Sequence, residues 1–320
     1  MSIGVPVYNG QPYLPETLDS LLSQTFEDFE LIIVDNGSND GTEEICRLYA
    51  ARDQRIRYLR SDTNWGASWS HNVVFQLARG RYFKWAAADD LCAPTFVTSC
   101  LDVLEAEPAV VLVLPGVIEI DEQGQEIGRW EHGLRVDHPS PHVRFHEFAC
   151  VWNDCLHFFG LIRASVLRRT GLVGSFIESD NVTLSELALN GPFRDLEEPL
   201  FLHRNHPDQS IRAMESRYER AAWFDPRMYK RFLFPEWRLG REHLRAVGRA
   251  PLSHAERLRC YGQIFPWLWW RKGSLVEDLR WARHTAEPIR PGRFSAAVEM
   301  GGSGLGLSKT AGGTRFEDAS

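Results

Sequence analysis

The first hundred residues alternate short apolar strand patterns with amphipathic helix patterns, and this alternation restricts the fold more than any other feature of the chain. Apolar runs at residues 3–7, 29–34, 56–59 and 81–87 are separated by helix signals. These signals include Pro15 in a first helical turn and Gly80 just after a helix end. Such an order is typical of a mostly parallel sheet with helices on both faces, so we predict a Rossmann-like α/β fold.

The rest of the chain is less regular. Strand patterns at residues 110–120, 158–162 and 199–202 are mixed with helix patterns, and from about residue 213 the chain reads as helical and rich in Arg and Trp. The last twenty residues are rich in Gly and Ser. We predict an α/β half at residues 1–115, a mixed half at residues 116–210, a helical C-terminal extension at residues 211–296 and a disordered tail at residues 297–320.

Composition narrows the partners and the compartment. The formal charge of −7 and the pI near 5.9 argue against nucleic acid as a partner. No basic signal segment precedes the first strand, and no apolar run is long enough to span a bilayer. The six cysteines show no Cys-x-x-Cys spacing. We therefore expect a cytoplasmic protein with reduced cysteines.

Two adjacent carboxylates, Asp89 and Asp90, follow the apolar run at residues 81–87. Burying ionised carboxylates without a cationic partner is strongly unfavourable, so we expect a metal ion or a basic cluster beside them. Mg²⁺ and Mn²⁺ prefer oxygen ligands and often bridge to phosphate groups. The alternative is a surface turn in which the acids cap the helix that follows Pro94.

Polar clusters also follow two other predicted strands, at residues 8–10 and 35–38. The carboxyl ends of parallel strands meet at one edge of a sheet, and ligands bind at that edge. We therefore expect these clusters to converge with the acidic pair. This convergence favours a ligand site over a capping turn.

The chain resembles family 2 glycosyltransferases over about its first two-thirds. The resemblance is carried by residues 4–10, 14–26, 30–42 and 64–66, by Asp89-Asp90, by residues 159–163, by Ser179-Asp180, and by residues 198–201 and 204–207. It implies a GT-A fold and an inverting transfer from a UDP- or TDP-linked sugar to a hydroxyl acceptor, in polysaccharide, glycolipid or glycoside biosynthesis. Residues 1–115 would bind the nucleotide sugar, and residues 116–210 would bind the acceptor and carry the catalytic base.

The resemblance implies roles for the acidic pair. Asp90 would be a direct ligand of Mn²⁺ or Mg²⁺, and Asp89 would lie toward the donor ribose or sugar as a supporting ligand. The family often has a further acid two residues before the pair, where this chain has Ala87. The metal prediction therefore rests mainly on Asp90.

The resemblance also implies a base-binding group. The ring of Tyr8 would stack on a uracil face, and Asp35 would accept a hydrogen bond from its imide N–H. An Asx turn with Gly37 is an alternative for Asp35, and both roles are compatible. Pro6 would shape the strand end, and Asn64 would line the same cleft.

Asp180 is the predicted general base, because the family has an acidic residue at the start of this helix. Glu178 is the reserve candidate, and the alternative for Asp180 is a helix N-cap worth about 1 kcal/mol. Arg204 and His206 would lie on a loop that closes over the diphosphate, with His206 as a further metal ligand. A solvated His-Pro turn is the alternative for His206.

Residues 265–272 mix aromatic and basic side chains, which suits peripheral contact with the inner face of a membrane and a lipid-linked acceptor. The alternative is that the tryptophans of this segment pack under the catalytic domain. The glycines at residues 301–308 are similar to a kinase glycine box, but no strand leads into them, so we interpret them as part of the tail.

Two other classes of protein remain open. A sugar nucleotidyltransferase would need a Gly-rich, basic loop after the first strand, and residues 7–12 have neither feature. A non-catalytic nucleotide-sugar-binding protein would bind the nucleotide with metal, and Asp180→Asn would then change nothing.

Overall fold

The computed structural model describes residues 1–209, 214, 217–228 and 234–284. Its centre is a sheet of nine strands within these residues, in the order β3-β2-β1-β4-β8-β6-β9-β5, with β7 paired to β6. The strands are β1 (Ser2–Val7), β2 (Glu30–Asp35), β3 (Ile56–Arg60), β4 (Tyr82–Trp85), β5 (Leu91–Cys92), β6 (Leu112–Ile120), β7 (Glu126–Trp130), β8 (Leu161–Arg163) and β9 (Phe193–Arg204).

The sheet is mostly parallel. Strands β3, β2, β1, β4, β6 and β9 run in one direction, whereas β5, β7 and β8 run against their neighbours. Every residue of β1 is buried, as expected for a central strand covered on both faces. The carboxyl ends of β1, β2, β4 and β9 therefore share one edge of the sheet.

Helices cover the sheet and form the C-terminal extension. They are α1 (Leu14–Leu22), α2 (Thr42–Arg52), α3 (Ala67–Gln76), α4 (Phe96–Ala106), α5 (Pro141–Cys150), α6 (Ala164–Leu167), α7 (Ser179–Asn190), α8 (Arg217–Phe224), α9 (Pro235–Arg249), α10 (His254–Gly262) and α11 (Ile264–His284). Two 3₁₀ turns span Leu156–Phe159 and Pro226–Met228.

Two apolar cores hold these layers together. The larger core surrounds the sheet and α1 to α4. The smaller core joins α5 and α7 to the helical extension through side chains such as Phe145, Val182, Val247 and Trp267. The extension is thus packed against the helix that begins at Ser179.

The predicted α/β class and the strand–helix order of the first hundred residues are confirmed. Strand β7 escaped prediction because its residues are mostly exposed and lack an apolar alternation. The strand predicted at residues 158–162 was wrong in its first part, since residues 156–159 form a 3₁₀ turn whose apolar side chains are buried. The predicted tail at residues 297–320 and the glycines at 301–308 lie outside the described residues.

Candidate active site

The loops after β1 and β2 are bonded to each other at the carboxyl edge of the sheet. The backbone N–H of Asn9 donates to Ser38 Oγ at 2.9 Å, and the N–H of Asn39 donates back to Asn9 Oδ1 at 2.9 Å. Asn9 has a left-handed backbone, with φ of 54°, which turns the chain sharply after Tyr8. Tyr8 is half-buried beside this junction. The predicted convergence of these two clusters is confirmed.

The same edge brings in the loop after β4. A Cβ added to Gly10 would lie 3.4 Å from the Cβ of Ala88, one residue before the acidic pair. Pro6 is buried in β1 opposite Val34. The loop that ends in Asp89 and Asp90 therefore lies against the loop after β1.

Asp35 is completely buried at the end of β2. Its Oδ1 accepts a hydrogen bond from the Ser38 N–H at 2.9 Å, one residue beyond the Gly37 of the predicted Asx turn. Its Oδ2 accepts from the Tyr58 hydroxyl at 3.0 Å and pairs with Arg60 at 2.5 Å. In this state Asp35 anchors the loop and is shielded from solvent by its partners.

Asn64 belongs to a small amide network. Its Oδ1 accepts from Asn36 Nδ2 at 3.0 Å and from the Gly66 N–H at 2.8 Å, while Asn36 Oδ1 accepts from the Trp65 N–H at 2.9 Å. Gly66 adopts φ of 89°, and a Cβ there would lie 2.5 Å from the carbonyl oxygen of Phe224. The network ties the loop after β3 to the loop after β2. The positive φ and the close carbonyl oxygen of Phe224 require glycine at position 66.

The acidic pair is held from β9 and does not cap a helix. Asp90 is buried, and its Oδ1 accepts from the Arg204 N–H at 2.9 Å and bonds His203 Nδ1 at 3.0 Å. Asp89 Oδ2 bonds His206 Nε2 at 2.9 Å. The next helix, α4, has Thr95 as its N-cap. The capping alternative is therefore wrong.

Asp90 also influences the histidine beside it. Burial alone would lower the pKa of His203, but the charge of Asp90 and the hydrogen bond to it outweigh burial and raise that pKa above its usual value. The carboxylate thus has the basic neighbour that its burial requires.

Arg204 is a structural centre of this site. It is the last residue of β9, so the prediction that it lies on a loop was wrong. Its side chain is fully buried, and Nε donates to the carbonyl oxygen of Asp89 at 2.9 Å. Nη1 donates to the carbonyl oxygens of Asp121 and Glu122, and Nη2 pairs with Glu16 at 2.6 Å. Because protein acceptors hold its guanidinium, Arg204 fixes the backbone of the acidic loop.

Two atoms beside the acidic pair are of types that bind a divalent cation, although Asp89, Asp90 and His206 do not bring three ligand atoms within 4.8 Å of one another in the part of the chain that the structure describes. Asp90 Oδ2 and His206 Nδ1 are both buried, and neither has a hydrogen-bond partner within the described ranges. If His206 Nε2 carries the proton toward Asp89, then Nδ1 presents a lone pair. A buried carboxylate oxygen and a buried imidazole lone pair without partners are the atoms that a Mn²⁺ or Mg²⁺ ion would satisfy.

Helix α7 carries the two candidates for the base. Glu178 is the N-cap residue, with φ of 62°, and its carboxylate pairs with Arg271 of α11. Asp180 lies in the first turn and is half-buried, and its Oδ1 accepts the Asn181 N–H at 2.9 Å. The N-cap alternative for Asp180 is therefore wrong. The reserve candidate Glu178 is occupied by the helical extension.

Burial raises the pKa of Asp180 to about 6, and the nearby charge of Glu178 acts in the same direction. A carboxylate with a pKa near the working pH is suited to accept a proton in a reaction. This property separates Asp180 from an ordinary surface carboxylate.

The 3₁₀ turn Leu156–Phe159 connects α7 to the strand that precedes the acidic pair. The ring of Phe158 stacks on Trp85 at 4.3 Å, and Lys84, which is buried in β4, donates to the carbonyl oxygen of Phe159. At the other end of the turn, Asn181 Nδ2 bonds Cys155 Sγ at 3.8 Å. The turn thus bridges the strand leading to Asp89 and the helix bearing Asp180.

A second cluster was not anticipated from the sequence. One ligand-type atom from each of His132, His157 and Asp195 lies within 4.8 Å of the others. Burial alone would raise the pKa of Asp195, but hydrogen bonds from the two histidines hold it well below its usual range.

The two histidines of this cluster are better explained as hydrogen-bond partners that hold Asp195 in place than as metal ligands. His132 Nδ1 accepts the Leu134 N–H at 3.2 Å, so its proton lies on Nε2, which points at Asp195. His157 Nε2 bonds Asp195 at 2.9 Å. A histidine that ligates a metal through one ring nitrogen almost always donates a hydrogen bond from the other, but the buried Nδ1 of His157 has no partner within the described ranges. Both rings also pack on Trp130.

Comparisons with known proteins agree with this geometry. The model of the family described as Glycosyl transferase family 2 matches residues 2–171, which is more than half of the chain. The glycosyltransferase GlyG of Streptococcus pneumoniae serotype 4 is 31% identical over 113 residues, covering 35% of this chain and 38% of GlyG. The uncharacterized glycosyltransferase EpsJ of Bacillus subtilis is 43% identical over 90 residues, covering 28% of this chain and 26% of EpsJ. The chain thus matches less than half the length of these relatives.

Solved structures support the same fold. The crystal structure of S. aureus TarS 1-349 in complex with UDP resembles this chain with a TM-score of 0.62 and 16% identity, over 88% of this chain and 77% of that one. At this identity the likeness establishes the fold alone. The sheet and its helices form a GT-A domain, the fold of nucleotide-sugar transferases. The chain belongs to glycosyl transferase family 2.

Proposed function

We propose that this protein is an inverting, metal-dependent glycosyltransferase that uses a sugar linked to UDP or TDP. One observation carries the proposal. Asp89 and Asp90 lie where the loops of the parallel strands converge, and Asp90 Oδ2 is buried without a partner among the described residues. Structures of S. aureus TarS in complex with UDP and with UDP-GlcNAc share the fold, which supports a UDP-linked donor.

Asp90 and His206 Nδ1 would hold Mn²⁺ or Mg²⁺, and Asp89, predicted as a supporting ligand, would instead orient His206 through its bond to Nε2. When bound, the ion would offset the negative charge that develops on the departing diphosphate. Arg204 and His203 would keep the two carboxylates in position from β9. The role predicted for Arg204, a direct bond to the diphosphate, is replaced in this proposal by that positioning role.

Tyr8, Pro6 and Asn64 would form the base pocket. Tyr8 is half-buried, and its ring would stack on uracil. Direct contact between Asp35 and the imide N–H stays a prediction, because it requires the Arg60 and Tyr58 side chains to move off Asp35 Oδ2. In the state described above, Asp35 contributes by fixing the loop that borders the pocket.

Asp180 would accept the proton of the acceptor hydroxyl. As that proton moves to the carboxylate, the acceptor oxygen forms a bond to the anomeric carbon and the bond to the diphosphate oxygen breaks. A single displacement of this kind inverts the anomeric configuration. The raised pKa of Asp180 supports this role, since the carboxylate is ionised near pH 7 and still basic enough to take the proton.

The acceptor would be a saccharide, a lipid-linked sugar or a small glycoside, bound by the half at residues 116–210. A cytoplasmic location remains the expectation, and all six cysteines are unpaired, which suits a reducing compartment. Within the part of the chain that the structure describes, none of the helices combines the length and hydropathy needed to cross a bilayer.

The donor assignment is tested by a thermal-shift panel. UDP, TDP, GDP and their sugar conjugates are added with and without Mn²⁺ to the wild type, to Asp90→Asn and to Asp102→Asn. Asp102 is an exposed carboxylate on α4, outside the loop that holds the acidic pair, and serves as the matched control. We expect Mn²⁺-dependent stabilisation of the wild type and of Asp102→Asn, and its loss in Asp90→Asn.

Two results would overturn the proposal. If no nucleotide stabilises the wild type, the chain does not bind the predicted donor. If Asp90→Asn keeps the Mn²⁺-dependent shift, the metal is held elsewhere. A wild type that binds the donor but releases no nucleoside diphosphate with any acceptor would favour the non-catalytic binding protein.

A further inference from the structure

The helical extension exposes large aromatic side chains on α11. Phe265 is 75% exposed and Trp269 is 72% exposed, whereas Trp267 between them is 1% exposed and belongs to the smaller core. The segment therefore has one side packed in the core and one side exposed. Taking about 150 to 250 Å² for each aromatic side chain, these two rings alone expose roughly 300 Å², the size of patches that mark interaction sites.

These exposed residues form one stripe along the helix. At about 100° per residue, positions 265, 268, 269, 272, 276 and 279 lie on one side of α11. They are Phe265, Leu268, Trp269, Lys272, Val276 and Leu279, and all six are exposed. The stripe is about 21 Å long at 1.5 Å per residue. The buried side of α11, with Trp267, Leu275 and Asp278, faces the protein.

The helical segment that carries the stripe is basic as a whole. Residues 235–284 contain ten Lys and Arg and five Asp and Glu, a formal charge of +5 in a chain with a formal charge of −7. Arg249 is paired with Glu186 of α7, and Arg271 with the N-cap residue Glu178, which leaves +3. The Nζ of Lys272 lies 3.6 Å above the centre of the Trp269 ring, so cation and indole act together at the surface.

We infer that this α11 stripe docks the enzyme on an anionic lipid surface. Tryptophan and phenylalanine insert at the level of lipid headgroups, while neighbouring Lys and Arg pair with their phosphates. A second copy of the chain is a poorer occupant, because a two-fold contact would place Lys272 and the net positive helical extension against the same positive charges of the other copy. The inference concerns a surface separate from the donor site, so it stands whether or not the donor assignment holds.

Vesicle co-sedimentation of the full chain tests this inference. Vesicles of phosphatidylcholine alone are compared with vesicles that also contain phosphatidylglycerol, at low and at high salt. We expect the wild type to bind the anionic vesicles and to be released by salt. Phe265→Ala with Trp269→Ala should lower vesicle binding at least about tenfold, and Lys272→Glu should lower binding to the anionic vesicles about tenfold.

Trp152→Ala provides the matched control, because Trp152 is 71% exposed outside the helical extension. This variant should bind vesicles as the wild type does, and all variants should keep the wild-type melting temperature. Equal loss in Trp152→Ala, or no binding of the wild type to anionic vesicles, would refute the inference. A dimer in light scattering that Trp269→Ala dissociates, without vesicle binding, would assign the stripe to a second copy instead.

Discussion

Replacing Asp180 with asparagine separates the catalytic role of this residue from a structural one. The amide keeps the size of the side chain and an oxygen that can accept the Asn181 N–H, but it cannot take a proton. If Asp180 is the general base, the rate should fall by about 10² to 10⁴, the usual contribution of general base catalysis. Nucleotide binding in the thermal-shift panel should remain.

The same substitution should leave the fold intact or make it more stable. The rise in the pKa of Asp180 from 3.8 to about 6 corresponds to about 3 kcal/mol at 1.36 kcal/mol per pKa unit. Because the side chain is only half-buried, we discount this penalty to about 1 to 2 kcal/mol. The pKa is raised in the folded state, so the cost of ionised Asp180 is complete above pH 6 and disappears below pH 3.8. Asp180→Asn should therefore be the more stable protein at pH 7 and equal to the wild type near pH 3.

The assay is nucleoside diphosphate release with the donor found in the panel, measured from pH 5 to 8. For the wild type, kcat/KM should fall about tenfold between pH 7 and pH 5, following a pKa near 6. Asp180→Asn should be much less active, and its residual activity should not fall between pH 7 and pH 5. An Asp180→Asn enzyme within threefold of the wild-type rate, or one that is less stable at pH 7, would refute this account of Asp180.

Three further predictions follow from other contacts. Glu178→Gln should keep the rate within about twofold and lower the free energy of unfolding by about 1 kcal/mol, because it weakens only the ion pair with Arg271. A loss of rate as large as that in Asp180→Asn would instead identify Glu178 as the base. His203→Gln should weaken Mn²⁺ binding by about 10- to 100-fold in a calorimetric titration, since it removes the side chain that orients Asp90; unchanged affinity would rule this out. Gly66→Ala should lower the free energy of unfolding in chemical denaturation by about 2 kcal/mol or more, because residue 66 has a positive φ and its Cβ would meet the carbonyl oxygen of Phe224. An unchanged denaturation midpoint would show that alanine is not strained at this position.

Much of the site was predictable because its residues follow strand ends. Periodicity locates a strand, and the parallel order brings the ends of β1, β2 and β4 together whatever the side chains are. Tyr8, Asp35 and Asp90 could therefore be placed at one edge from local patterns. His203 could not, because its bond to Asp90 joins residues 113 positions apart. His203 immediately precedes residues 204–207, which carry the family resemblance, and this position could have marked it as a candidate site residue.

The sequence by itself determined the α/β class, the family and the location of the acidic pair, since these depend on local periodicity and short motifs. Only the tertiary structure decided which charges are already neutralised. Arg204 is held by four protein acceptors and Glu178 by Arg271, so both side chains already have partners where the sequence suggested charges directed at the substrate. It also decided that Trp267 is core and Trp269 is surface. The physical reason is that burial and ion pairing depend on partners that are distant along the chain, and folding alone brings these partners together.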